Sequence, residues 1–111
     1  MADLLREGIN FFNAGRYFEA HETWEDLWRV TRGPRRLFYQ GLIQAAVGLH
    51  HLSLGNWNGA RAQLAKSLAK LEQYPANFCR LDNGRLVGDL RRVFESRQPA
   101  SVVIARSQES Q

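Results

Sequence analysis

The stretch GRYFEAHETWEDLW, residues 15–28, decides the fold, because it reads as a single amphipathic helix. At 100° per residue, its apolar side chains define an arc of about 180°, which predicts a helix half covered by the rest of the protein. Those apolar side chains are Tyr17, Phe18, Ala20, Trp24, Leu27 and Trp28. Gly15 stands before this helix as a stop signal for the segment that precedes it.

Outside this helix, glycine, proline and asparagine divide the chain into four further helical segments, and almost no run of alternating or β-branched residues suggests a strand. We therefore predict an all-α, single-domain bundle of about five helices. The predicted helices run from an Asp3 N-cap to Ala14, from Tyr17 to Thr31, from Pro34 to Leu54, from an Asn56 cap to Gln73 and from Asn83 to Arg97.

The third predicted helix is expected to be central, since Gly41 and Gly48 lie on one strip of it and let another helix approach. An internal similarity also appears at an offset of 40 residues, where residues 15–20 align with residues 55–60. In each copy a glycine ends one helix and an aromatic residue opens the next. This pattern favours two helix-turn-helix units that distantly resemble tetratricopeptide repeats, although any tight turn between helices also prefers glycine.

Length, charge and cysteine content limit the class of protein. The 111 residues suffice for one domain, which we place at residues 1–97, with a flexible C-terminal tail at 98–111. Docking of Val102 to Ile104 on the domain is left open. Cys79 is the only cysteine, so no intrachain disulfide is possible, and a cytoplasmic protein is expected. Residues 37–60 carry no charged side chain, but glutamines, histidines and glycines interrupt them. They predict a helix buried in a bundle and not a membrane span.

His21 and Glu25 are the first candidate site residues, because they lie one helical turn apart inside the apolar arc and should face the core. A Glu25 carboxyl group in a core must be paired, protonated or bound to a cation, and His21 is its nearest candidate partner. Glu22 lies at the edge of the arc. One interpretation is a satisfied polar network in which Gln44 and the indole N–H groups of Trp24 or Trp28 complete the hydrogen bonds.

Two other interpretations of this cluster stay open. In the first, His21 and Glu25 line a small pocket that holds no metal, together with Gln44 and with His50 or His51 of the third helix. In the second, a metal-dependent or hydrolase-like enzyme uses Glu25 as the base and His21 as ligand or acid. The spacing does not match the His-Glu-x-x-His helix of zinc proteases, since Glu25 occupies the last position. We therefore assign no catalytic residue, no metal ligand and no cofactor.

A basic segment follows the second helix, with four arginines in residues 29–36 at the predicted turn before Pro34. Arginine binds phosphate bidentately, and the N–H groups of a helix start point into the same space. These residues are Arg29, Arg32, Arg35 and Arg36. They predict a candidate anion-binding turn. In the alternative interpretation, Arg29 only complements the dipole at the C-terminus of the second helix and the other three side chains are solvated.

A family resemblance rests on three motifs. The first is Phe12-Asn13-x-Gly15-x-Tyr17-Phe18-Glu19-Ala20-His21-Glu22-x-Trp24-Glu25-x-x-Trp28; Gly41-Leu42-Ile43-Gln44 with His50 and Gly55-Asn56-x-x-Gly59-Ala60 follow it. Over Phe12 to about Leu71 the chain closely resembles the small prokaryotic proteins of the "domain of unknown function 309" family. The resemblance implies an all-helical single domain without an established activity, and it marks His21, Glu22, Trp24, Glu25, Trp28, Gln44 and His50 as motif positions.

The leading hypothesis is a helical protein whose polar cluster organises a structural network, a pocket or an interaction site. The alternatives are the metal-dependent or hydrolase-like enzyme and phosphate or RNA binding through the arginine turn. A protein partner or a second copy of the chain is left open. Nucleic acid is the less favoured partner because no nucleic-acid-binding motif occurs, and no membrane association is expected.

Overall fold

Five helices and one short hairpin make up the part of the chain that the structure describes. The structure, a computed structural model, describes residues 3–107. The helices are α1 (Leu4–Asn13), α2 (Tyr17–Val30), α3 (Pro34–Ser53), α4 (Trp57–Leu71) and α5 (Asn83–Ser96). Strands β1 (Asn77–Phe78) and β2 (Leu81–Asp82) stand between α4 and α5. The predicted all-α single domain is confirmed.

The helix ends follow the capping chemistry of the sequence. The Asp3 carboxylate accepts the Arg6 N–H at 3.1 Å, and the Asn56 side chain accepts the Gly59 N–H at 3.0 Å. Side-chain oxygens of this kind satisfy N–H groups that have no partner within the first turn of a helix. Pro34 occupies the first turn of α3, where its missing N–H costs nothing.

The central position of α3 is confirmed, because this helix packs against α2 on one side and α4 on the other. A Cβ atom at Gly41 would lie 2.8 Å from the Leu71 side chain, and one at Gly48 would lie 2.9 Å from that of Leu64. Both glycines therefore permit the close approach of α4. Within residues 3–107, no helix has the length and apolar character needed to cross a membrane.

The β1–β2 hairpin is a feature that the sequence did not predict. Asn77 pairs with Asp82 and Phe78 with Leu81 in antiparallel register. The two turn residues, Cys79 and Arg80, have φ values of 53° and 60°. Paired strands of two residues show no detectable alternation, and the turn lacks the asparagine and glycine that usually mark positive φ.

The C-terminal segment, assigned above to a flexible tail, packs against the helical body over its described part. Val102 and Ile104 are buried, and the Asn13 side chain exchanges two hydrogen bonds of 2.9 Å with the backbone of Ile104. Asp82 N–H donates to the Ala105 carbonyl at 2.8 Å. The segment thus adds a third extended chain beside the hairpin. Residues 108–111 of the assigned tail lie outside the described residues.

Candidate functional site

Helix α2 places the family-motif side chains, and its start is fixed by the turn before it. Gly15 adopts a φ of +78°, the left-handed region that favours glycine. The Gly15 N–H donates to the Phe12 carbonyl and the Arg16 N–H donates to the Phe11 carbonyl, at 3.0 and 2.9 Å. This Schellman arrangement ends α1 and starts α2 one residue later.

His21 and Glu25, which we expected to face the core, are both partly exposed. Trp24 is fully buried, but the His21 side chain is 21% exposed and the Glu25 side chain is 42% exposed. The expectation of a buried carboxylate is therefore wrong for Glu25. Its physical reason is the position of both residues: α1 packs against the Trp24 side of α2, while His21 and Glu25 lie on a neighbouring face that is partly open to solvent.

His21 nevertheless makes the predicted contact with Glu25. Its Nε2 lies 3.6 Å from Glu25 Oε1, and its Nδ1 lies 3.1 Å from the Phe18 carbonyl oxygen. Because a carbonyl can only accept, Nδ1 is the donor in the second contact. Nε2 therefore faces the carboxylate, and the two side chains form an ion pair when the imidazole is protonated.

The candidate residues do not form one connected polar network among residues 3–107. Trp24 Nε1 donates to the Leu5 carbonyl at 3.2 Å, across the α1–α2 contact. Gln44 Oε1 and Trp28 Nε1 are buried, and within that range neither finds a hydrogen-bond partner. Glu22 is exposed. In place of a shared network, His21 and Trp24 make separate backbone contacts, and the two buried atoms of Gln44 and Trp28 stay unpaired within that range.

His21 and His50 come together instead at a small cavity between α2 and α3. Its volume is about 110 Å³, and Tyr17, Phe18, His21, Val47 and His50 line it. The centre of the Phe18 ring lies 5.3 Å from that of His21 and 5.6 Å from that of His50. Phe18 is 48% exposed, so the cavity is at the surface.

Sequence reasoning named the two histidines of this cavity but missed Phe18, Tyr17 and Val47 as lining residues. A signal was present in the helical spacing. Phe18, His21, Glu22 and Glu25 stand at positions i, i+3, i+4 and i+7, which is one face of a helix. The contribution of α3 to the lining, Val47 and His50, can be identified only from the three-dimensional structure.

The four arginines of the predicted anion-binding turn have separate environments. Arg29 Nη1 lies 2.6 Å from Asp26 Oδ1. The Arg36 guanidinium lies 3.8 Å from the Trp28 ring centre, and its Nη1 donates to the carbonyls of Trp28 and Thr31. Arg36 thereby caps the C-terminus of α2. Arg32 and Arg35 remain exposed. Two of the four guanidinium groups are therefore engaged within the protein.

The positions of the candidate ligands bear on whether the chain could hold a metal ion. In the part of the chain that the structure describes, no three histidine, cysteine or carboxylate side chains converge in a way that could hold a metal ion. Outside α2, burial raises the pKa of the Cys79 thiol, which the positive charge of Arg35 opposes. Cys79 itself is partly exposed and lies in the hairpin turn.

Comparison with known proteins places the chain among uncharacterised relatives. A family model described as domain of unknown function (DUF309) matches residues 5–72. An uncharacterized protein of Aquifex aeolicus (strain VF5) is 29% identical over 98 residues, which cover 87% of this chain and 29% of that protein. The uncharacterized protein YpuF of Bacillus subtilis (strain 168) is 35% identical over 96 residues, covering 84% of this chain and 55% of YpuF. The chain thus spans about a third and about half of the lengths of these relatives.

Proposed function

Because the chain belongs to the DUF309 family, whose description carries no activity, its function must be argued from the site, and we propose that it is a binding module. The site is the cavity between α2 and α3, and its occupant is one apolar side chain of a partner protein, flanked by basic residues. The observation that carries this proposal is the cavity itself, with the exposed Phe18 ring between two imidazoles.

The size of the cavity favours a side chain over a substrate. Small-molecule and cofactor sites usually measure about 300–1,000 Å³, whereas a cavity of roughly 150 Å³ holds a single benzene ring. At about 110 Å³, this cavity fits a leucine or methionine side chain. Four of its five lining residues carry aromatic rings, and none carries a carboxylate or a guanidinium group.

The charge beside the cavity supports a basic partner segment. Glu22 and Glu25 lie on the same face of α2 as Phe18 and His21. The Glu22 side chain is exposed, and among the residues of the described range it forms no ion pair. Glu19 differs, because a hydrogen bond from Arg16 lowers the pKa of its carboxyl group and already engages it. A lysine or arginine next to the anchoring side chain would meet Glu22 or Glu25.

The relatives also support a module. Both matched relatives are longer than the aligned region, so the equivalent segment in each stands beside additional sequence. A domain that binds a neighbouring segment or a separate protein suits that arrangement. An interaction surface that depends on one anchor residue and complementary charge is a common design for such modules.

The test is an NMR titration of the protein with a capped Lys-Leu-Lys peptide and, as the matched ligand, capped Lys-Ala-Lys. We expect saturable shifts at the cavity residues for the leucine peptide and far weaker binding for the alanine peptide. Phe18→Ala should weaken binding about fivefold to tenfold, the amount expected for a lost aromatic contact.

The matched control is Leu54→Ala, which removes an apolar side chain that is 69% exposed and lies outside the cavity. It should leave the affinity within twofold. Equal binding of the two peptides, or equal weakening by both substitutions, would exclude the cavity as the binding site. A Glu-Leu-Glu peptide that binds as well as Lys-Leu-Lys would exclude the basic flanks.

A further inference from the structure

A second and larger cavity lies where α1 meets the β1–β2 hairpin and the C-terminal segment. Its volume is about 540 Å³, which is within the range of small-molecule sites. Among the quoted motif positions only Asn13 lines it, and it shares no lining residue with the cavity between α2 and α3. Three arginines from separate elements lie around it: Arg6 of α1, Arg80 of the hairpin turn and Arg106 of the C-terminal segment.

The backbone that carries these arginines is held in place. Arg80 has a φ of 60°, a conformation that side-chain-bearing residues rarely adopt, in the turn that joins β1 to β2. Arg106 forms an antiparallel bridge with Leu81, and Ser107 N–H donates to the Arg80 carbonyl at 3.0 Å. Asn13 fixes Ile104 two residues earlier. The backbone therefore holds the three arginines at fixed positions around one groove.

The groove carries a net positive charge over the described range, because three arginines outnumber its one carboxylate. Between residues 3 and 107, none of Arg6, Arg80 and Arg106 forms an ion pair, in contrast to Arg16 and Arg29. Asp3 contributes the one carboxylate among the lining residues, and its Oδ1 already accepts the N–H of Arg6. Like charges brought together without a partner indicate an anionic ligand.

Apolar side chains also line the groove beside two asparagines; they are Leu5, Ile9, Leu81 and Ile104. A ligand of matching chemistry has a compact apolar body and an anionic head. A single carboxylate would leave two of the three guanidinium groups unmatched, whereas a phosphate ester or diphosphate carries two or three negative charges. Its oxygens also fit the planar, bidentate geometry of arginine.

We propose that the groove formed by α1, the hairpin turn and the C-terminal segment binds a small organic phosphate, with Arg6, Arg80 and Arg106 on the phosphate and Leu5, Ile9, Leu81 and Ile104 against the apolar body. This site is independent of the proposed peptide-binding cavity. Phe18→Ala should accordingly leave phosphate binding unchanged, so that either proposal can fail alone.

The experiment measures binding of ADP, pyrophosphate and adenosine to the full chain by isothermal titration calorimetry at about 150 mM salt, which screens non-specific attraction. We expect saturable binding of ADP, weaker binding of pyrophosphate and none of adenosine. The triple variant Arg6→Gln, Arg80→Gln, Arg106→Gln should weaken ADP binding at least tenfold. All three side chains are exposed, so the fold should persist, and circular dichroism checks it.

The matched control is Arg29→Gln, Arg32→Gln, Arg61→Gln, which removes the same charge from three exposed arginines outside the groove. It should change the ADP affinity less than twofold. Three results would overturn the proposal: no saturable binding of any probe at millimolar concentration, full binding by the groove variant, or equal weakening in both triple variants. Loss confined to the Arg29, Arg32 and Arg61 variant would place the anion site away from the groove.

Discussion

Among single residues, Gly8 determines whether α1 and α2 can pack as they do. A Cβ atom at this position would lie 2.0 Å from Nε1 of Trp24, which is far inside any tolerated contact. Trp24 is fully buried and donates from that same nitrogen to the Leu5 carbonyl. The indole ring therefore occupies the space that a side chain at position 8 would need.

Replacing Gly8 with alanine should lower the free energy of unfolding by about 2–3 kcal/mol, the upper part of the range of about 1–3 kcal/mol that is typical of overpacking in a core. Urea denaturation followed by tryptophan fluorescence measures the change. Gly88 is the matched control, because it lies in the helix α5 and a Cβ there meets nothing within 4 Å. Gly88→Ala should stabilise the protein by about 0.5–1 kcal/mol. Equal effects of the two substitutions would contradict the assigned Gly8–Trp24 contact.

At the scale of the elements, the two turns that the sequence aligned at an offset of 40 residues have the same geometry. Gly15 and Gly55 have φ values of +78° and +75°. In each turn the glycine N–H donates to the carbonyl of the residue three positions earlier, at 3.0 Å. The N–H of the residue after the glycine donates to the carbonyl five positions before that residue, at 2.9 Å. The alanines that end the two aligned segments, Ala20 and Ala60, are both fully buried. The internal repeat is thus a repeated Schellman turn.

This equivalence predicts equal responses to substitution. Gly15→Ala and Gly55→Ala should each cost about 1 kcal/mol, because a Cβ in the left-handed region is strained although nothing lies within 4 Å of either position. Asparagine tolerates that region better, so Gly15→Asn and Gly55→Asn should cost less than the alanine variants. Chemical denaturation of the four variants tests the prediction. A neutral Gly55→Ala beside a costly Gly15→Ala would show that the turns differ.

Helix boundaries were predictable from the sequence because local chemistry sets them. The predicted start at Pro34 and the predicted caps at Asp3 and Asn56 are confirmed. The hairpin was missed for the opposite reason, since its turn places Cys79 and Arg80 at positive φ without a glycine or asparagine. Its stability comes from the C-terminal segment and the core around Leu81, which are contacts between distant parts of the sequence.

For the whole molecule, the two candidate sites differ in how much the sequence could reveal. The cavity between α2 and α3 takes Phe18 and His21 from one helix, so half of it follows from helical spacing. The arginine groove brings Arg6 and Arg106 together from opposite ends of the chain. Docking of the segment around Ile104 creates that groove, and no local pattern encodes it. Helical periodicity also cannot fix how far α3 covers α2, which is why the exposure of Glu25 was mispredicted.

The stability of the whole molecule should fall at alkaline pH, because burial raises the pKa of three acidic groups in the folded state. These groups are the Tyr17 and Tyr39 phenols, with an ordinary value of 10.0, and the Cys79 thiol, with an ordinary value of 9.0. A raised pKa means that the unfolded chain loses these protons at lower pH than the folded protein does. The stabilisation is therefore complete below about pH 8 and is lost as the pH rises through 9 and 10.

Urea denaturation between pH 7 and pH 11 should show a steady decrease in the free energy of unfolding above pH 8.5. The double variant Tyr17→Phe, Tyr39→Phe should flatten the part of this decrease above pH 9.5, since phenylalanine keeps the ring and removes the titrating hydroxyl. An unchanged slope in that variant would show that the two phenols are equally solvated in the folded and unfolded states.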